Sequence, residues 1–137
     1  MRLVAYCRVS TEGQSDNTSI QDQKDKIIGY CKGMEHELVA VLCEIGSAKN
    51  KSERPIFNQA LDLLKAGAAD GLIAAKLDRV ARNTLDVLEL VRDVLQPLDK
   101  ALILLDLNVD TSTPTGKMVL TVMSGVAELE SDLVLQK

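Results

Sequence analysis

The sequence predicts an α/β domain with a mainly parallel sheet of about four to five strands. Helices cover both faces of the sheet, and a long helix ends the chain. Three observations lead there. Short, nearly continuous apolar runs ("LVAYCRV", "ELVAVLCEI", "GLIAA", "ALILL") alternate with longer amphipathic stretches, the signature of strands buried on both faces. Their order, β-α-β-α-β-α-β-α, joins strand to strand through helices, as parallel pairing requires. The chain has 137 residues, 46% apolar and 26% charged, which suits one soluble domain with a real core.

Each element follows from local pattern. Residues 2–9, "RLVAYCRV", are aliphatic and β-branched enough for a strand. Thr18 with Gln21 resembles a capping box opening a helix over "TSIQDQKDKIIGYCKGM". Residues 37–45 read as a second strand, and "GSAKNKSERP" as a loop. Pro55 fits the first turn of "PIFNQALDLLKAG". "GLIAA" is a short buried strand leading into "KLDRVARN". "TLDVLELVRDVLQPL" is amphipathic, with Leu85, Leu88, Val91 and Leu95 at helical spacing. "ALILLDL" is a fourth strand, "NVDTSTPTG" a polar loop, and the last helix runs from about Lys117 to the end.

Composition narrows the function classes. Tyr6, Tyr30 and Phe57 are the aromatic residues, so the core is aliphatic. The cysteines Cys7, Cys31 and Cys43 are odd in number and widely spaced, arguing for a reducing cytoplasm rather than a disulfide framework or a CxxC metal site. With His36 as the single histidine, no metal centre is expected. The N-terminus lacks a signal-peptide pattern, and no apolar run is long enough to span a bilayer, so no membrane partner is expected. There is no GxxxxGK[ST] and no GxGxxG after the first strand, which removes P-loop and dinucleotide chemistry. Net charge is −4, which alone argues against nucleic acid. The placement of the arginines matters more than that total.

In an open parallel sheet, ligands bind beyond the carboxyl ends of the strands. Those ends carry Arg8 and Ser10 after the first strand, Ser47 through Arg54 after the second, and Lys76 through Arg82 after the third. Arginine forks match phosphate oxygens. Tyr6, Arg8 and Ser10 share one face of the first strand, while Leu3, Ala5, Cys7 and Val9 share the other. A hydroxyl beside a guanidinium can attack a phosphorus whose oxygens the guanidinium neutralises, so Ser10 is the candidate nucleophile. Arg79 and Arg82, three apart, would face the same way on a helical turn, and Asp78 would orient an arginine or move a proton. Gln14 and Gln23 could donate to phosphate or sugar.

Taken together, "YCRVST", "SIQDQ", "GSAKNKSERPIF", "KLDRVARN" and "TPTGKMVLTVMSGVAELE" resemble, in that order, the catalytic domain of the serine recombinases, the resolvase/invertase and large serine integrase superfamily. The resemblance covers nearly the whole chain. It implies that Ser10 attacks a DNA phosphodiester, giving a 5′-phosphoserine and a free 3′-hydroxyl. Arg8, Arg79 and Arg82 would bind the scissile phosphate, with Asp78 beside them. Ser47, Arg54 and Lys76 would lie near it, and Tyr6, Gln14 and Gln23 would support it. The resemblance further implies two DNA recombination sites as partners, a homodimer assembling to a tetramer through the C-terminal helix, and no metal, ATP or other cofactor. The competing expectations are a catalytically idle assembly module or truncated remnant of such a recombinase, and a phosphate-ester hydrolase using Ser10.

The last helix points to assembly on separate grounds. Val119, Val122, Met123, Val126 and Leu133 form one apolar stripe, but Met118, Leu120, Ala127, Leu129 and Val134 lie outside it. A helix apolar on more than one face needs a cover beyond its own domain. The ending "SDLVLQK" stands where the family continues with basic residues, with Lys137 where an arginine is frequent. No helix-turn-helix or zinc-ribbon segment is present. The expectation is therefore a single catalytic domain over 1–137, its last helix truncated and its DNA-binding domain missing, so that sequence-specific affinity comes from elsewhere.

Overall fold

The computed structural model describes residues 1–9, 19–46, 54–81 and 83–135. Strands β1 (Arg2–Val9), β2 (Glu37–Ile45), β3 (Gly71–Ala74), β4 (Ala101–Leu104) and β5 (Val109–Asp110) form one sheet in the order β2-β1-β3-β4-β5. All neighbours are parallel except β4 and β5. The chain leaves β1 for β2 on one side and then crosses back to β3 on the other. The gap between β1 and β3 is thus a topological switch point, where loops diverge and leave a crevice.

β1 carries the apolar run because it lies in the middle of the sheet. Its alternate residues feed two core layers. Leu3, Ala5 and Cys7 pack with Ile27 and Cys31 of α1 (Ile20–Gly33) on one face. Val4 and Tyr6 pack on the other with Phe57, Ala60 and Leu64 of α2 (Pro55–Lys65). That second layer continues through Val87 and Leu90 of α4 (Thr84–Leu90) to Leu120 of α5 (Pro114–Leu135). Helices therefore cover both faces. Phe57, Ala60 and Leu64 recur at helical spacing on one side of α2, and burying each large apolar side chain contributes roughly 1.5–3 kcal/mol. Among the described residues, no helix is long and apolar enough to cross a membrane.

Several boundaries differ from the sequence reading. The cap of α1 is Ser19, whose hydroxyl accepts from Asp22 N at 3.1 Å. Gln21 does not reach back to close a box but donates to Asp25 at 2.8 Å; Thr18 lies outside the described residues. Two adjacent hydroxyl residues compete for one cap, and composition does not choose between them. The helix over "TLDVLELVRDVLQPL" is α-helical only to Leu90 and continues as a π-helical turn, Val91–Leu95.

The fourth strand ends at Leu104, and Leu105–Leu107 form a 3₁₀ turn. Asn108, in the left-handed conformation at φ 53°, then returns the chain so that Val109 and Asp110 pair antiparallel with Leu104 and Ile103. This strand sits inside what reads as a polar loop, and two residues are too few to show a period. α5 starts at Pro114 rather than Lys117. Pro114 opens the first turn, and Thr113 caps it, its hydroxyl accepting from Gly116 N at 3.0 Å.

Gly116 is required where it stands. A Cβ there would lie 1.9 Å from the carbonyl oxygen of Asp110, a backbone atom that cannot swing aside. Gly116→Ala should therefore push α5 off β5 and lower stability by about 1–3 kcal/mol, the usual range for overpacking. Chemical denaturation monitored by circular dichroism checks this. A midpoint equal to that of the parent would mean that α5 docks loosely.

The apolar stripe of α5 also needs correcting. Val119, Leu120 and Met123 face the core, whereas Met118, Val122, Val126 and Leu129 are exposed. The docked face is rotated from the stripe read in the sequence because β5 and α4 set the contact. Val122 and Val126 therefore belong with Met118 and Leu129 on an outward apolar face.

Candidate functional site

The carboxyl edge of the sheet gathers three arginines. Arg8 is the penultimate residue of β1, Arg54 precedes α2, and Arg79 lies on α3 (Leu77–Val80), the single helical turn after β3. All three are buried, with 7%, 2% and 7% of their surface exposed. Placing cationic groups so close together in the interior has a cost, and the local hydrogen bonds show how it is offset.

The Arg8 guanidinium spans the crevice between β2 and α3. Nε donates to the Arg79 carbonyl at 3.2 Å, Nη1 to the Gly46 carbonyl at 2.6 Å and Nη2 to the Asp78 carbonyl at 2.5 Å. Its fork thus ties the end of β2 to the turn that carries Asp78 and Arg79. Burial pulls its pKa down from the usual arginine value, the positive charges of Arg79 and Arg54 add to that, and Tyr6 and Asp78 oppose it. An arginine carries five N–H donors, so holding three carbonyls does not exhaust the fork.

Gln23 fixes Arg8 from the other side. Its carboxamide oxygen accepts from Arg8 N at 3.1 Å and its Nε2 donates to the Arg8 carbonyl at 2.9 Å. The side chain, fully buried, pairs with the backbone as a neighbouring strand would. It is therefore bound to the main chain of β1 rather than reaching outward to a ligand.

Sequence reasoning missed Glu44. This buried carboxylate accepts from the Tyr6 hydroxyl at 2.5 Å and from Ile56 N and Phe57 N at 3.1 and 3.3 Å. Arg54, at the cap position of α2, makes no side-chain cap, and Glu44 satisfies those helix donors from the neighbouring strand. A signal existed in the sequence: an acidic residue near the carboxyl end of a strand, directly after the apolar run at 38–43. Tyr6 is fully buried, and burial, followed by the Glu44 carboxylate, pushes its phenol well above the ordinary value. Among the described residues, Glu44 takes its hydroxyl and links it to the start of α2.

Arg54 donates through Nη1 to the Val80 carbonyl at 2.7 Å, and its guanidinium lies 4.1 Å from the centre of the Phe57 ring. Its Nε is buried with no hydrogen-bond partner among the described residues. Arg79 Nε lies 3.6 Å from Asp78 Oδ1; the Asp78 side chain is 65% exposed while that of Arg79 is 8% exposed. The rim therefore presents a carboxylate in solvent beside a shielded guanidinium. At the far end of the turn, the Asp106 carboxylate, another residue the sequence did not single out, accepts from Leu77 N at 3.4 Å.

Arg8, Tyr6, Gln23, Arg54, Asp78 and Arg79 are thus brought together. Lys76, at the cap of α3, is partly exposed, and its backbone carbonyl accepts from Arg79 N. Ser10, Gln14, Ser47 and Arg82 lie outside the described residues. The helical relation expected between Arg79 and Arg82 involves a residue outside the described ones. α3 ends at Val80, and Ala81 is extended at φ −148°, ψ 164°. The reason is the next cap: Asn83 is also extended, and its side chain accepts from Asp86 N at 2.9 Å to start α4.

A cleft of about 580 Å³ lies elsewhere, between the π-helical turn and α5, and is lined by Leu88, Val91, Lys117, Leu120, Thr121 and Ser124.

Comparison with known proteins gives the family and the fold. The chain is 36% identical over 136 residues to the serine recombinase PinR of Escherichia coli (strain K12), covering 99% of this chain and 66% of that protein. It is 31% identical to the transposon Tn917 resolvase of Enterococcus faecalis, covering 98% and 66%. It therefore spans about two thirds of the length of the curated relatives it matches. Among solved structures, the N-terminal catalytic domain of TP901-1 integrase superposes with a TM-score of 0.86 at 30% identity, covering 97% of this chain and 98% of that one. A resolvase family site-specific recombinase from Streptococcus pneumoniae gives 0.78 at 28% identity, covering 98% and 90%. The family model "Resolvase, N terminal domain" matches residues 3–137, and with an α/β fold shared nearly end to end with a serine integrase catalytic domain, this chain belongs to the resolvase family of serine recombinases.

Proposed function

We propose that this chain is the catalytic domain of a site-specific DNA recombinase acting by phosphoryl transfer through Ser10. The observation that carries the reading is the convergence of Arg8, Arg54 and Arg79 at the carboxyl edge, with Ser10 two positions after Arg8 in the sequence. The Ser10 hydroxyl attacks the phosphorus and the DNA 3′-oxygen leaves with a proton. The product is a 5′-phosphoserine ester and a free 3′-hydroxyl. The reverse attack by a new 3′-hydroxyl restores the phosphodiester and the serine, so the ester conserves the bond energy and no nucleotide hydrolysis is needed. Arg79 and Arg82 stabilise charge on the phosphoryl oxygens. Arg8, fastened to three carbonyls, positions the turn that carries Asp78 and Arg79. Tyr6, Gln23 and Arg54 hold the edge from behind, and Gln14, Ser47 and Lys76 belong to its surroundings.

The partners in this reading are two DNA recombination sites and further copies of the same chain. Met118, Val122 and Leu129 of α5 are 62%, 61% and 60% exposed. That outward face supports pairing through α5 into a dimer and then a tetramer. The reading also places the protein in the cytoplasm, where DNA and a reducing milieu coincide.

A nicked suicide site tests the chemistry, with the domain joined to a DNA-binding module. The parent should form a covalent protein–DNA adduct and Ser10→Ala none. If the parent gives no adduct while remaining folded, the chain is an idle assembly module. Turnover of small phosphate esters without a DNA adduct would favour a hydrolase.

A further inference from the structure

Cys7 and Cys43 are direct partners in the parallel ladder of β1 and β2. Both belong to the α1 face of the sheet, where Cys7 is fully buried and Cys43 packs against the same cluster while keeping partial exposure. Burial and the neighbouring Cys43 push the Cys7 thiol up, and the charge of Lys24 opposes them. Each cysteine also stands one residue before a site residue, Arg8 and Glu44 respectively.

We propose that Cys7 and Cys43 form a reversible disulfide that switches off the site at the end of these two strands. Neighbouring strands lie about 4.7–4.9 Å apart, inside the Cα range that a disulfide spans. Its usual Cβ separation of about 3.8 Å requires the strands to close by roughly 1 Å at this rung. A bridge strained in this way is easily reduced again, the property of a regulatory rather than a structural disulfide.

The oxidant is a hydroperoxide. Cys43, the more accessible thiol, attacks the peroxide oxygen; the O–O bond breaks, the thiol proton goes with the departing oxygen as alcohol or water, and Cys43 becomes a sulfenic acid. Burial pushes the Cys7 thiol up to about 12, so it does not react first. It attacks the sulfenic sulfur and its proton leaves with the hydroxide as water. Two thiols are thereby oxidised and one peroxide is reduced. The consequence at the site follows from the covalent path: moving Cys7 and Cys43 moves Arg8, with its three carbonyl bonds, and Glu44, with its hold on Tyr6 and α2.

The functional half of this proposal rests on the DNA-cleaving reading above; the bond itself does not. The test treats the purified full chain with hydrogen peroxide, blocks remaining thiols, and maps the products by mass spectrometry. The expected result is an intramolecular Cys7–Cys43 link, reversed by dithiothreitol, present in Cys31→Ser and absent in Cys43→Ser. A link through Cys31, a link between chains, or all three thiols remaining free would overturn it. Joined to a DNA-binding module, the oxidised protein should then cleave DNA on the order of 10²-fold more slowly, recovering on reduction, while Cys43→Ser should resist peroxide. Undiminished cleavage by the mapped disulfide form would overturn the switch. An unoxidised parent that never cleaves would instead overturn the reading beneath it, leaving the disulfide standing.

Discussion

Replacing Glu44 by alanine should lower the stability of the domain by about 3–5 kcal/mol, the range seen when one partner of a buried charged network is removed. The size of the effect follows from what the carboxylate holds. It accepts from the Tyr6 hydroxyl and from two backbone N–H groups at the start of α2. Alanine leaves all three donors buried without acceptors, and each such orphan costs roughly 1–3 kcal/mol. It also removes the negative charge facing a helix N-terminus, where Arg54 supplies no side-chain cap. Glu44→Gln keeps an acceptor and should lose much less. Urea unfolding of the three proteins measures this. An alanine variant within 1 kcal/mol of the parent would mean that water replaces the carboxylate, contrary to the burial of this position.

Arg79→Ala should cut DNA cleavage by about 10²–10³-fold, as removal of one donor to a developing oxyanion does. The variant should remain folded, because Arg8 grips the backbone carbonyl of residue 79 and not its side chain. The clamp across the crevice therefore survives the substitution, and the loss can be read as chemistry. Arg79→Lys keeps the charge but loses the planar fork, and should recover only part of the rate. Single-turnover cleavage of a nicked site provides the measurement, with thermal unfolding as the control. Full activity in both variants would move the phosphate site away from α3.

Much of this arrangement was legible in the sequence because burial leaves a period. β1 to β4 and the two-layer pattern follow from runs such as "RLVAYCRV", and strand alternation sent Tyr6 and Arg8 to one face and Cys7 to the other. What escaped has physical reasons. β5 is two residues long and depends on one left-handed asparagine. The break after Val80 accompanies Asn83 capping the following helix, and no run of apolar residues marks it. Glu44 and Gln23 act on backbone groups distant in sequence, so a local pattern can flag the acidic Glu44 in its strand but cannot name the groups it holds. Arg8 could be placed at the edge, but not recognised as a strut across it, because its acceptors are carbonyls, which every residue possesses.

The Tyr6–Glu44 bond has a practical side. The chain has no tryptophan and two tyrosines, so its intrinsic emission comes from Tyr6, against a carboxylate behind the arginines, and from Tyr30, beside His36. Tyrosine emission is sensitive to a carboxylate acceptor. The domain therefore carries an optical reporter inside its own site, needing no label and lying out of contact with solvent.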